Sequence, residues 1–197
     1  MITSKDNPAI KRIRALQSRS RQRRHERAFI VEGVRLTREL LSSLLVPEQI
    51  FFTESAAAHT PQLLELARAR DVKIVLVSNA VMASCTETEN PSGVLAIAPV
   101  PAYPFPQKAD FVLIVDQIAD PGNMGTLLRT AHAAGVDAVL VTRGSIDPTN
   151  PKVVRSAMGV PFPPANHHHY SRRYPQHPGG HGSACGRFPR RNSLLHT

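Results

Sequence analysis

The chain has 197 residues, 42% of them hydrophobic, which suffices for one large core or two small ones. No apolar run approaches the length of a membrane span, charges stand where a signal peptide would be apolar, and Cys85 and Cys185 lie far apart without a CxxC partner. These features argue against a membrane protein, a secreted protein and a disulfide framework, and they make the cytoplasm the expected compartment.

The net charge of +9 is unevenly placed. Residues 1–27 carry nine basic side chains (Lys5, Lys11, Arg12, Arg14, Arg19, Arg21, Arg23, Arg24, Arg27) against Asp6 and Glu26, and residues 163–197 carry five arginines and no acid. The stretch between them is mildly acidic. A basic arm on an acidic body points to a polyanionic partner, RNA or DNA first, and a solvated helix face is the plainer alternative for any charge run.

In chain order, Asn7 before Pro8 predicts a capped helix start, and Ile10, Ile13 and Leu16 give it an apolar stripe. SRSRQRRHER is either a solvated extension of that helix or a loop that orders on a phosphate backbone. Strands are predicted at Phe29–Val31, Ile50–Phe52, Lys73–Val77 and Gly93–Ala98, with helices over Leu36–Leu44, from Thr60–Pro61 to Arg70, and at Ser78–Met82. Together these make a small α/β sandwich over residues 1–98. VPAYPFP is stiff and extended, so residues 99–110 read as a linker.

The second part is organised by FVLIVDQIADPGNMGTLLRTAHAAG, Phe111 to Gly135. FVLIVD reads as a strand from the middle of a parallel sheet, Asn123 as an N-cap, and Leu127, Ala131 and Ala134 as one face of a helix stopped by Gly135. Ala138–Thr142 is the next strand. Strand, helix and strand make a βαβ unit, whose ligands sit beyond the carboxyl ends of the strands, at DPGNMG. Lys152 and Arg155 fall in a further helix after Asp147 and Pro148.

ITSKDNPAIKRIRAL, FIVEGVRLTREL, DQIADPGNMGTLLRTAHAAG and NPKVVRSAMG, in that order, resemble the SpoU (TrmH-type) family of RNA ribose 2′-O-methyltransferases, of the SPOUT class. The resemblance covers roughly residues 1–160. It implies an α/β protein with an N-terminal L30-like sandwich that holds RNA. It further implies a parallel SPOUT (trefoil-knot type) domain, incomplete here, that uses S-adenosylmethionine and forms a homodimer. rRNA is the expected substrate ahead of tRNA. By the same resemblance Asn123 and Arg129 match the first family motif and are the expected catalytic residues, with Gly122 and Gly125 in the substrate loop. Lys5, Lys11, Arg12, Arg21, Arg23, Arg24, Arg35 and Arg155 are the expected RNA contacts, and no cofactor-binding residue is assigned.

Transfer to a 2′-hydroxyl needs that oxygen in line with the sulfonium methyl, so positioning and electrostatics carry the barrier reduction. A guanidinium is a poor proton acceptor, which favours a role for Arg129 in stabilising the developing alkoxide or the adjacent phosphate. Each residue also has a plainer reading: Asn123 as a helix cap, Gly125 as a packing site, Arg129 as a surface cation. Glu32, Gly33 and Arg35 are equally an RNA-contacting turn or a strand exit.

After Phe162 the composition turns to Pro, His and Arg without Val, Ile, Asp, Glu or Lys, and the family's later Gly/Glu and Ser-Leu-Asn motifs are not met. Residues 111–162 are therefore read as the first part of the SPOUT domain and 163–197 as a disordered tail arising from a frameshift or truncation. The expectation is that the chain as it stands does not bind S-adenosylmethionine, and a non-catalytic L30-like RNA-binding protein is the alternative. No metal site is expected, because the histidines of the tail have no fixed spacing.

Overall fold

A computed structural model describes residues 1–88, 90–102 and 106–159, together with the backbone of 183–184. The first half runs α1 (Pro8–Ser18), α2 (Ser20–Glu26), β1 (Ala28–Glu32), α3 (Val34–Leu41), β2 (Gln49–Phe52), α4 (Glu54–His59), α5 (Pro61–Ala69), β3 (Lys73–Leu76), α6 (Asn79–Ala83) and β4 (Val94–Pro99). The four strands form one sheet in the order β1-β4-β2-β3. β4 is antiparallel to both β1 and β2, with Ile30 opposite Ile97 and Phe51 opposite Leu95, while β2 and β3 are parallel.

β1 and β4 are continuous apolar runs because both of their faces are covered. Phe29, Val31, Ile50, Phe52 and Ala96 pack on one side against Leu36 and Leu40 of α3 and Leu63 and Ala67 of α5. On the other side Ile30, Phe51, Leu95 and Ile97 pack against Ile10, Ile13 and Leu16 of α1 and Val81 and Met82 of α6. The thin stripe of α1 is thus a core stripe. Its strongly basic opposite face stays in water.

The open alternatives at SRSRQRRHER resolve as a second helix. α2 is separated from α1 by Arg19 in extended conformation, and it ends at Arg27 in the left-handed region (φ 50°). α4 is an element the sequence reading lacks, started by Thr53, whose hydroxyl accepts from the Ala56 N–H at 3.2 Å. Thr60 stands before Pro61 as expected, but its hydroxyl donates backwards to the Ala56 carbonyl at 2.7 Å and makes no cap bond to α5.

The second half contains β5 (Val112–Val115), α7 (Pro121–Ala133), β6 (Ala138–Val141), α8 (Pro151–Ser156) and the two-residue β7 (Ser183–Ala184). β5 and β6 are parallel, joined through α7 as a βαβ unit. Two expectations change here. Asn123 does not cap α7: Asp120 does, its carboxylate accepting from the Asn123 N–H at 2.7 Å, and Pro121 takes the first helical position. Nor is β5 a central strand among the described residues. Its described partner is β6 on one side, and Ile114 and Phe111 are 64% and 51% exposed. The expected tail, 163–197, lies outside the described residues apart from β7.

α8 joins the two halves. Asn150 caps it through the Lys152 N–H at 2.9 Å. Consecutive helical residues point about 100° apart, and here Val153 enters the core of the second half while Val154 enters the core of the first. Both are at most 1% exposed, and fully burying each contributes roughly 1.5–3 kcal/mol. An ion pair accompanies this contact. The guanidinium of Arg155 donates to Glu32 at the end of β1 at 2.9 Å, and the other Glu32 oxygen accepts from the Thr88 hydroxyl at 2.5 Å.

Candidate functional site

At the carboxyl ends of β5 and β6 the two following loops are laced together. The Thr142 hydroxyl donates to Asp116, Ile146 N–H donates to the Ile118 carbonyl at 2.7 Å, and Ile118 N–H donates to the Ser145 hydroxyl at 3.2 Å. Gln117 in this loop holds φ 53°, a left-handed conformation that costs energy for a side chain with a Cβ. The lacing fixes the entry of α7, so that DPGNMG forms its first turn.

α7 then meets α8 at Gly125. A Cβ on Gly125 would lie 2.4 Å from the Ser156 Cβ and 2.8 Å from the Ala157 nitrogen, so only glycine allows the two helices to approach this closely. Ser156 donates its hydroxyl to the Gly122 carbonyl at 3.1 Å. The glycines expected in a substrate loop therefore form the α7–α8 seam, and the packing reading of Gly125 is the one the geometry supports.

Arg129 is four residues beyond Gly125 on the same face, which brings it to the end of α8. It is exposed, and one guanidinium nitrogen lies 3.1 Å from the thioether of Met158, a residue held at φ 52°. A thioether is a weak acceptor, so the remaining N–H donors of Arg129 stay available to an oxyanion. Asn123 is exposed too, but helix geometry separates the pair by roughly 9 Å along the axis and about 120° around it. α7 does not bring them together. Both lie on its outer surface, and the first turn of α7 is already capped, the Asn123 N–H donating to the Asp120 carboxylate and the Met124 N–H to the Asp120 carbonyl.

The basic candidates divide in two. Lys5, Arg21, Arg24 and Arg35 are exposed, and so are Arg14, Arg19 and Arg27, which belong to the same basic run but were not among the candidates. The others are paired with acids of the chain, Lys11 at the surface and Arg12, Arg23 and Arg155 partly or fully buried. Lys11 pairs with Asp6 at 3.1 Å, and Arg12 bridges Glu26 at 2.5 Å and Glu48 at 2.7 Å. The hydrogen bond to Glu48 raises the pKa of Arg12 above its ordinary value in spite of partial burial. Arg23, at 2% exposure, pairs with Asp147 at 2.8 Å and donates to the Leu16 and Gln17 carbonyls at 2.8 and 3.1 Å. It thereby satisfies the carbonyl end of α1 and ties the first half to the loop after β6. Arg155 serves the parallel bridge to Glu32. Glu32 lies in the FIVEGVRLTREL segment and Asp147 in no motif, and for both the anchoring role is revealed only by the spatial partner.

No helix among the described residues is long and apolar enough to cross a membrane.

Residues 7–96 match the MRM3-like substrate binding domain family, and residues 110–171 match the SpoU rRNA Methylase family. An uncharacterized tRNA/rRNA methyltransferase of Synechocystis is 35% identical over 160 residues, 80% of this chain and 58% of the relative. The Bacillus subtilis 23S rRNA (guanosine(2553)-2′-O)-methyltransferase RlmP is 33% identical over 161 residues, 82% of this chain and 62% of the relative. The chain therefore spans about three fifths of the length of these two relatives. The crystal structure of an AdoMet-bound rRNA methyltransferase from Sinorhizobium meliloti superimposes with a TM-score of 0.69 at 28% identity, over 83% of this chain and 63% of the other. With both family segments present in order on a fold shared with that enzyme, the chain belongs to the SpoU rRNA methylase family.

Proposed function

We propose that this chain serves an RNA ribose 2′-O-methyltransferase that acts on rRNA with S-adenosylmethionine as methyl donor. The first half, residues 1–98, holds the RNA, and α7 presents Arg129 to the reacting ribose. The observation that carries this reading is Arg129 itself: an exposed guanidinium on the helix that follows β5, steadied among the described residues by the weak Met158 acceptor. RlmP is named for 2′-O-methylation of 23S rRNA, which supports the choice of ribose and of rRNA. We place the protein in the cytoplasm and take the homodimer of the intact domain as the working assembly.

The laced loops use their polar groups on one another, so the described residues by themselves do not fit the methyl donor, and no seat for it is assigned among them. The donor supplies the methyl group. The residues here act on the other partner: Arg129 holds the ribose oxygen or its neighbouring phosphate as negative charge develops there. The exposed Asn123 side chain in the first turn of α7 can donate from its amide to an adjacent phosphate.

One observation favours the non-catalytic RNA-binding reading: the exposure of Phe111 and Ile114 leaves the second sheet open among the described residues. Incubation with labelled S-adenosylmethionine and rRNA, followed by digestion to nucleosides, separates the two. Label in 2′-O-methylnucleosides that falls at least about 100-fold in Arg129→Ala supports catalysis. RNA retained without label supports the binding module, and a chain that retains no RNA contradicts both.

A further inference from the structure

Between the α1–α2 hairpin and the loop from β6 to α8 lies a cleft of about 370 Å³. Its floor is the Arg23–Asp147 pair, at 2.8 Å, and its walls come from both halves of the chain, Ser20 and Arg24 on one side and Ile146 and Asn150 on the other. We infer that this cleft seats the phosphodiester backbone of bound RNA at the junction of the two halves. The inference rests on the RNA reading above and names where on the molecule the strand crosses.

Four properties lead there. Among the described residues, three groups of the lining keep donors to spare: the Ser20 hydroxyl, the Arg24 guanidinium, and the Asn150 amide NH2, whose oxygen caps α8. The acid, Asp147, is already neutralised by the buried Arg23, so the free charge facing the cleft is that of Arg24. Among the described residues Ile146 is the single aliphatic one of the lining, which is poor in apolar surface for a small-molecule site. Among the described residues no aromatic side chain lines it either, so they offer bases no stacking platform there, and the strand is held by its backbone without regard to sequence. Arg19 and Arg21, exposed beside the cleft, extend the positive track.

The test is fluorescence anisotropy of labelled oligouridylate and oligoadenylate of about ten nucleotides against the full chain over a range of salt. Ser20→Asp is compatible with the fold, because an acid in the first turn of a helix is favourable, but it puts a carboxylate in the cleft. Asn150→Asp keeps the oxygen that caps α8 and removes the donor. Each should weaken binding roughly 3- to 10-fold at low salt, and Arg24→Ala should reduce the log–log salt slope by about 0.7, one phosphate contact on a single strand. Arg68→Ala, on α5, should change nothing, and the two oligomers should bind alike. Wild-type affinity in both Ser20→Asp and Asn150→Asp would overturn the inference, as would a strong preference for one base. If the wild-type chain shows no salt-dependent binding to either oligomer, the RNA reading itself fails, and the cleft with it.

Discussion

Gly125→Ala opposes a local preference and a tertiary contact, and the structure says which wins. In a helix interior the change should stabilise by about 1 kcal/mol through propensity alone. Here the new methyl carbon would lie 2.4 Å from the Ser156 Cβ, 2.5 Å from its hydroxyl oxygen and 2.8 Å from the Ala157 backbone nitrogen. The serine hydroxyl can rotate, but its Cβ and the backbone nitrogen cannot, so α8 must retreat by about 1 Å to reach ordinary contact. That retreat disturbs Val153 and Val154, which lock α8 into two cores at once. Three contacts under 3 Å, one of them to backbone, place the overpacking cost at about 2–3 kcal/mol, so after the propensity gain a net loss of about 1–2 kcal/mol remains. Urea unfolding followed by circular dichroism should show a lower midpoint at unchanged slope. Ser156→Gly removes the two shortest contacts, so the double variant should recover part of the loss, with a coupling of about 1 kcal/mol. Gly122→Ala, whose Cβ would meet only the flexible Asp120 carboxylate at 3.1 Å, should stay within about 0.5 kcal/mol of wild type. A Gly125→Ala chain as stable as wild type, or one that Ser156→Gly does not relieve, would refute the close seam.

Arg23→Ala should cost about 3–5 kcal/mol in the same unfolding assay, because it strands the largely buried Asp147 and two α1 carbonyls. Arg21→Ala should leave stability within about 0.5 kcal/mol of wild type and lower RNA affinity instead. Glu26 has a second signature: burial pushes its carboxyl up, but hydrogen bonds from Gln22 and Arg12 outweigh that and hold it below the usual carboxylate range. A depressed carboxyl stabilises the fold above its unfolded pKa of about 4.3 and loses that contribution as the pH falls through the folded value. Glu26→Gln should therefore flatten the loss of stability on acidification below about pH 5, in urea midpoints taken across that range. Cys85, 4% exposed and with its thiol pushed up by burial, should resist alkylation in the native chain and react on unfolding, as peptide mass spectrometry will register.

Much of the first half was legible because its signals are local. The apolar runs at FIVE and GVLAIA, and Asn7 before Pro8, each state an element within a few residues. The same cap-then-proline signal stands at Asp120–Pro121 and Asn150–Pro151, and it puts the N-cap of α7 three residues before Asn123. The Thr53–Glu54 start of α4 was readable in the same way. The division of the arginines was not legible. Arg21, Arg23 and Arg24 look alike in a run of basic residues, and what buries Arg23 is an acid 124 positions away. Gly125 was open to two readings for a similar reason, since the helix it packs against starts 26 residues later.

The central claim is that one RNA strand reaches from the basic hairpin to Arg129. Ultraviolet crosslinking of bound rRNA fragments, with mass spectrometry of the peptide–nucleotide adducts, tests it most directly. Adducts should appear both on peptides of α1–α2 and on the stretch from Gln117 to Arg129, and those on the latter should fall in Arg129→Ala while the former persist. Adducts confined to α1–α2, with none on α7 or the loop before it, would contradict the claim and leave the first half as an RNA-binding module on its own.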